Sequence, residues 1–207
     1  VAAYVIGPRI GRFNDDGSSN VIPGHSLPYA VLGTLILAFG WYGFNVGTAV
    51  EVFQIGEGGA LALSDYSYAG RVAINTALIM GAGSIGAALV GYARQGKVDP
   101  LMTANGLLAG LVSVCSIAAV ASWRGTLIVG FIAGIQVVLV FDLLERVGID
   151  DVCAVFPVHG SAGLLSALAY PFVDTTSAFS VTQLGIQAIG VIVLAAWAGS
   201  RSPSTAS

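Results

Sequence analysis

Residues 31–50 read VLGTLILAFGWYGFNVGTAV and contain no charged side chain. A helix of about 20 apolar residues is what the hydrocarbon core of a bilayer requires. Over its 207 residues the chain is 56% hydrophobic and only 9% charged. A soluble domain carries about 25% charged residues, because its surface faces water. The chain has too few charges to cover such a surface, so it is predicted to lie mostly in lipid.

Five further stretches have the length and composition of a membrane-spanning helix. With the first, they are predicted at 28–49, 66–93, 101–121, 125–144, 155–173 and 180–199. Glycines recur inside them, and glycine lets helix backbones approach closely; four in one span are Gly81, Gly83, Gly86 and Gly91. The predicted fold class is an all-α polytopic membrane protein with six complete transmembrane helices in a tight bundle. The apolar run 1–6 is expected to be the end of a further helix.

The basic residues predict the orientation of these helices. If successive connections alternate sides, one side receives Arg9, Arg12, Arg94, Lys97, Arg146 and Arg201, and the other receives only Arg71 and Arg124. Positive charge in short loops favours the cytoplasm. We therefore expect a multi-pass protein of the cell membrane whose loop 9–27 and C-terminus are cytoplasmic.

His159 is the most informative single residue, because it lies inside the apolar segment VFPVHGSAGLLSALA. Ionisable groups at membrane depth are costly and tend to mark pathways or proton relays. A neutral imidazole both donates and accepts a hydrogen bond, so it can pass a proton or orient a small polar solute. A structural histidine bonded to a backbone carbonyl is the competing interpretation, and position alone does not decide between them.

Two other groups of side chains could serve a pore. Asp150 and Asp151 precede the His159 span, where an aspartate caps free backbone N–H groups; this structural role is preferred over direct chemistry. Trp41, Phe44 and Thr48 share one helix face near the end of the first complete span. Aromatic rings and a hydroxyl could bind a small cation. An interfacial belt or simple packing is the commoner use of such a stripe.

Other chemistries find little support in the sequence. Cys115 and Cys153 lie in apolar surroundings and are typical of small core residues rather than of a disulfide or metal framework. No phosphate-binding loop, zinc-protease motif or nucleophile elbow is present, so neither an enzyme nor a bound cofactor or metal is expected. The scattered, slightly negative charge argues against nucleic-acid binding.

The segments GWYGFNVG (40–47) and DDVCAVFPVHG (150–160) resemble the Amt/Mep/Rh ammonium transporter family, and the Amt branch most. The likeness covers 7–199 and implies ammonium transport by an eleven-helix, inverted-repeat fold that forms homotrimers. The single membrane domain, 1–207, would then run from the end of helix five to helix eleven. By resemblance, the residues assigned are His159 as a pore histidine, Phe44 and Trp41 in the outer aromatic motif, Thr48 at the outer ammonium site, and Asp151, beside Asp150, as support of the pore.

The same resemblance defines what we expect to lie outside this chain. The family's first pore histidine, its other gate aromatic, and the tail that docks a PII-type signal protein are not found in 1–207. An ammonium sensor with a soluble extension, and a non-conducting truncated fragment, therefore remain alternatives to a transporter. The implied mechanism is recruitment of NH4+ followed by histidine-assisted loss of its proton, which avoids moving a bare cation through an apolar channel.

Overall fold

A computed structural model describes residues 2–49, 53–55, 61–63 and 67–200. Within these ranges the α-helices are α1 Ala2–Ile6, α2 Leu27–Ala49, α3 Ser67–Gln95, α4 Pro100–Val114, α5 Trp123–Arg146, α6 Ala162–Val173 and α7 Val181–Ser200. A π-helical segment, Phe156–Ser161, leads directly into α6. Between α2 and α3, the short strands β1 Phe53–Ile55 and β2 Leu61–Leu63 pair antiparallel, with Phe53 opposite Leu63. This hairpin was not expected from the sequence.

The all-helical, polytopic class predicted from composition is confirmed, although two of the six predicted spans are not uninterrupted helices. Within the described ranges, four helices are long and apolar enough to cross a membrane: Leu27–Ala49, Tyr68–Gln95, Trp123–Arg146 and Val181–Ser200. The span predicted at 101–121 is helical only to Val114 and then continues as hydrogen-bonded turns. The span predicted at 155–173 begins as the π-helical segment.

A buried asparagine explains how the end of the third predicted span can depart from α-helical structure. Asn75 on α3 is 2% exposed, and its side-chain nitrogen donates to the carbonyl oxygens of Ala118 and Ala121, at 2.8 and 3.0 Å. Backbone groups must be satisfied inside the protein when no water is present. Asn75 thus stabilises the turns that follow α4.

Helices α3, α4 and α5 form the centre of the bundle and approach each other through glycine. A β-carbon on Gly83 would overlap the carbonyl oxygen of Gly106, and one on Gly134 would overlap that of Gly83. The expected close packing is therefore observed at Gly83, and likewise at Gly86, which lies against α5. It is not observed at Gly81, which has no neighbour within 4 Å among the described residues, or at Gly91, whose nearest contact is at 3.8 Å.

The remaining helices pack on the sides of this three-helix centre. Helix α2 lies against α3 and α4, and the π-helical segment and α6 lie against α4 and α5. Helix α7 contacts only α6 among the described elements, and none of its residues is buried. Apolar side chains therefore cover most of the outside of the bundle, as expected for a protein in lipid; examples are Leu35, Phe39, Ile189, Ile192 and Leu194.

Charged residues lie near both ends of α3, where Arg71 and Arg94 are found. At one end, Arg12 pairs with Glu145, and Arg94 pairs with Asp142. At the opposite end, Arg71 donates to the Ala119 carbonyl at 3.5 Å. Arg201 lies outside the described residues, so the prediction for the C-terminal charge has no structural counterpart.

Candidate functional site

The π-helical segment presents His159 on the outside of a tightly packed turn. Pro157 and Val158, immediately before it, are buried, whereas the His159 side chain is exposed. Within the described part of the chain, no side-chain hydrogen bond reaches the His159 imidazole, so the structural alternative of a bond to a backbone carbonyl is not observed. π-Helical turns inside α-helices are rare and occur frequently at functional sites. Both imidazole nitrogens are therefore available to a solute or a proton.

Asp151 fixes the start of this segment. Its two carboxylate oxygens accept hydrogen bonds from the backbone N–H groups of Val155 and Phe156, at 2.8 and 2.7 Å. Helix starts leave such donors without a backbone partner, and a negative charge there is also favoured by the helix dipole. Asp151 therefore fixes the N-terminal end of the π-helical segment that carries His159. Its part in supporting a pore stays a prediction.

Asp150 does not cap the segment and instead binds the loop that follows α1. Arg9 donates to its carboxylate from Nε at 2.7 Å, from Nη2 at 2.9 Å and from the backbone N–H at 3.0 Å. Arg12 lies 3.4 Å from the same carboxylate. These hydrogen bonds from Arg9, with some contribution from both positive charges, lower the pKa of Asp150 from 3.8 to about 2. The carboxylate is thus charged at neutral pH and joins parts of the chain that are 141 residues apart.

A strained residue lies between Asp151 and the π-helical segment. Ala154 has a φ of +56°, a conformation that L-residues other than glycine rarely adopt, and it is 1% exposed. Its N–H donates to the Asp151 carbonyl at 3.3 Å, and its own carbonyl accepts from the Val158 N–H at 2.9 Å. The backbone bend before His159 is therefore held by packing and by hydrogen bonds on both sides.

The aromatic face predicted on α2 is present. The rings of Trp41 and Phe44 lie 5.9 Å apart between centroids and are tilted by 55°. Phe44 is 58% exposed, so much of its side chain is accessible. The Thr48 hydroxyl donates to the Phe44 carbonyl at 2.5 Å. Because its hydrogen is used within the helix, the Thr48 oxygen can only accept from a ligand, and an N–H donor is therefore the ligand that it suits.

Asn45 holds this face in place, and the sequence analysis did not single it out. It is buried between the aromatic residues and Thr48, and its side-chain nitrogen donates to the Thr76 hydroxyl on α3 at 3.0 Å. The Cys115 thiol, beyond the end of α4, lies 3.7 Å from its side-chain oxygen. A single amide in an apolar span was the available signal, since such groups usually bond between helices.

The predicted site residues therefore form two groups on different helices. Trp41, Phe44 and Thr48 lie on α2, whereas His159 lies on the π-helical segment, and these two elements do not contact each other within the described residues. Both pack against α4, which is their common support. The arrangement places an aromatic ring and a hydroxyl on one helix and an exposed imidazole on another element, in a bundle whose outer surface is apolar. A polytopic membrane protein with such groups is of the transport or solute-binding class.

Comparison with known proteins identifies the family. The profile of the Ammonium Transporter Family matches residues 1–202, and the chain belongs to that family. It is 54% identical to "Ammonium transporter Amt2" of Haloferax mediterranei over 95% of this chain and 44% of that protein. It is 43% identical to "Ammonium transporter Amt1" of Methanocaldococcus jannaschii over 94% of this chain and 46% of that protein.

Solved structures show the same fold. One described as "Sensor Amt Protein" superposes with a TM-score of 0.84 at 32% identity and covers 95% of this chain and 47% of that chain. Mep2 of Candida albicans superposes with a TM-score of 0.76 at 26% identity, covering 94% of this chain and 44% of its own length. The chain thus spans about half the length of the relatives that it matches.

Proposed function

We propose that this chain is the C-terminal half of an ammonium transporter and supplies His159 to its pore. The observation that carries the proposal is the exposed His159 on the π-helical segment, in a chain 54% identical to a protein named as an ammonium transporter. The chain covers 44% of that relative, and in this proposal a preceding half completes the pore. The transported species is ammonium, delivered to the membrane as NH4+ and carried through the apolar part as NH3 and a separate proton.

The groups on α2 support the recruitment step. An ammonium ion has N–H donors and a positive charge, which match the accepting oxygen of Thr48 and the exposed ring of Phe44. A cation over an aromatic ring gains about 0.5–2 kcal/mol, depending on how far it is desolvated. This contribution is small beside the cost of taking the ion into hydrocarbon, so recruitment alone does not move the charge.

His159 provides the acceptor for the proton. A neutral imidazole takes a proton on one nitrogen and donates from the other, so it can pass charge without leaving a fixed cation in the pore. Potassium has a similar size but no proton to lose, and it would be rejected at this step. Asp151 and Ala154 act indirectly in this scheme, by holding the segment on which His159 lies.

Proteoliposomes containing the protein at the full length of its relatives test this function. An inward ammonium gradient should drive uptake, whereas an equal potassium gradient should produce no comparable current. Absence of ammonium uptake, or equal conduction of potassium, would contradict the proposal. Liposomes without protein provide the background for passive NH3 diffusion.

We further propose, from family membership, that the protein forms a homotrimer in the cell membrane with one pore per subunit. The end that carries Arg9, Arg12 and Arg94 is then the cytoplasmic side, because basic residues favour it. A PII-type signal protein is the expected cytoplasmic partner. Mass measurement of the protein in detergent, and binding to a purified PII-type protein, test the two statements separately.

An ammonium sensor is the second candidate function, because a structure described as "Sensor Amt Protein" superposes with a TM-score of 0.84. A sensor would bind ammonium at the same α2 face but would couple binding to another domain. The uptake experiment distinguishes the two functions, since a sensor binds ammonium without sustained transport. A long soluble extension encoded after Ser207 would favour the sensor.

A further inference from the structure

One side chain on α5 holds the π-helical segment on both sides of His159. The Gln136 amide nitrogen donates to the Pro157 carbonyl at 2.9 Å, and the Gln136 amide oxygen accepts from the Ser161 hydroxyl at 2.5 Å. Pro157 and Ser161 lie two residues before and two residues after His159. Both polar ends of one amide are thus used on a single turn of the neighbouring helix. We call Gln136, Pro157 and Ser161 the amide clamp.

The π-helical geometry explains why this turn needs such support. A π-turn has a wider hydrogen-bonded ring than an α-helix and is rare as an isolated structure. The Pro157 carbonyl accepts from Gln136 and also lies 2.9 Å from the Ser161 hydroxyl. The single Ser161 hydrogen is therefore shared between the Pro157 carbonyl and the Gln136 oxygen. Side chains here satisfy a backbone group that would be costly to leave unpaired in an apolar environment.

The clamp acts on the turn that carries His159. No described residue makes a hydrogen bond to the His159 side chain, so the position of the imidazole depends on the backbone of its own turn. That backbone is held at its start by Asp151 and along its side by Gln136. Val158, the residue before His159, is 2% exposed and packs in the buried core cluster of the bundle.

We propose that Gln136 is a positioning residue for proton transfer. Through the amide clamp it holds the π-helical segment, so that His159 keeps a fixed position in the pore. The proposal rests on the proposed function in treating His159 as a pore group. Gln136 itself touches neither ammonium nor the proton in this account. Gln136 lies in the apolar segment GIQVVLV, where an unpaired polar side chain would be costly. Its two hydrogen bonds to the π-helical turn offset this cost.

Four variants of the full-length protein test the clamp. Gln136→Met keeps the length of the side chain and removes both polar ends, and Ser161→Ala removes the hydroxyl from the other side. Ser161→Thr keeps that hydroxyl and serves as the conservative rescue. Gln187→Met on α7 is the matched control, because Gln187 makes no side-chain hydrogen bond within the described residues. Ser161→Ala also keeps the test available if Gln136→Met does not fold.

Two measurements are made on each variant: amide hydrogen exchange of the peptide covering 156–163, and ammonium transport in proteoliposomes. Gln136→Met should accelerate exchange of this peptide about thirtyfold, because both hydrogen bonds of the Gln136 amide are lost. Its maximal transport rate should fall about tenfold or more, whereas the half-saturating ammonium concentration should change less than about twofold. Ser161→Ala should behave similarly, and Ser161→Thr and Gln187→Met should resemble the unchanged protein.

The outcomes separate the clamp from the function on which it rests. Unchanged exchange of the 156–163 peptide in Gln136→Met would overturn the clamp. Faster exchange with an unchanged transport rate would overturn it as well, provided that His159→Ala abolishes transport by the same protein. A global loss of stability, with equal acceleration of exchange in α3 and α4, also overturns it, since Gln136 would then be an ordinary packing residue. If His159→Ala transports normally while exchange at 156–163 still responds to Gln136→Met, the clamp stands and the proton-transfer role of His159 falls.

Discussion

The two adjacent aspartates before the π-helical segment use their charges on different partners. Asp151 accepts from two backbone N–H groups of its own helix start, whereas Asp150 binds the Arg9 guanidinium. The sequence predicts a capping role for an aspartate at this place, because free N–H groups at a helix start are a local feature. It does not reveal the ion pair, since Arg9 lies far away in the chain and only the fold brings it near.

The Asp150 ion pair gives a prediction at the residue scale. The pKa of Asp150 in the folded chain, about 2, lies below its ordinary value of 3.8. A lowered pKa means that the carboxylate stabilises the fold above the unfolded value and that this stabilisation is lost as pH falls towards the folded value. Asp150→Asn should therefore lower the unfolding temperature at pH 7, and its difference from the unchanged protein should shrink between about pH 4 and pH 2.

Thermal unfolding in detergent at several pH values measures this effect. Asp15→Asn is the matched control, because Asp15 is exposed and makes no ion pair within the described residues. An equal effect of the two substitutions, or a difference for Asp150→Asn that persists unchanged at pH 2, would show that the ion pair contributes nothing to stability.

Some polar residues inside the spans could be assigned a role from the sequence, whereas others could not. His159 stands out in the sequence as an ionisable group in an apolar segment, and Phe44 and Thr48 stand out as members of one helix face; the family resemblance then assigns them to a pore. Asn45 and Gln136 were not named, although each makes interhelical hydrogen bonds that hold one of these motifs. Their residue type marks them as polar groups in apolar segments, but their partners are on other helices and are set by packing alone.

At the scale of the elements, apolar length predicted where the helices lie, with ends within a few residues for α2, α5 and α7. It did not predict how the third and fifth spans depart from regular helix. Those departures depend on side chains from α3 and α5, Asn75 and Gln136, which satisfy the backbone groups that the α-helical pattern releases. Hydropathy reports only that a segment is apolar, and so it misses such interruptions.

The contact between α3 and α5 gives the prediction at this scale. Gly134→Ala should destabilise the bundle, because the added β-carbon would overlap the Gly83 carbonyl oxygen, and backbone on both sides cannot easily move. Overpacking of this kind costs about 1–3 kcal/mol. Gly81→Ala is the matched control on α3, since its β-carbon meets nothing within 4 Å, and alanine favours a helix by about 0.5–1 kcal/mol over glycine.

The measurement is the unfolding temperature of each variant in the same detergent. Gly134→Ala should unfold at a lower temperature than the unchanged protein, and Gly81→Ala at the same or a slightly higher temperature. The close packing of α3 on α5 would be contradicted if Gly134→Ala unfolded no earlier than Gly81→Ala.

On the scale of the whole molecule, the described chain is a three-helix centre with functional groups on either side. Helix α2 carries the aromatic face, the π-helical segment carries His159, and α4 lies between them. Phe44 and His159 both have exposed side chains here. Under the proposed function, the pore forms where these exposed groups face the rest of the full-length protein. Composition predicts the membrane class, whereas residue type and helix-face spacing predict the candidate site residues.

If His159 carries the proton of the transported ammonium, replacing it should remove selective ammonium current. In proteoliposomes containing the full-length protein, His159→Ala should abolish ammonium-driven current that excludes potassium, or should make conduction non-selective. His25→Ala is the matched histidine control in the exposed loop before α2 and should leave the current unchanged. Full ammonium current with potassium still rejected in His159→Ala would contradict the account.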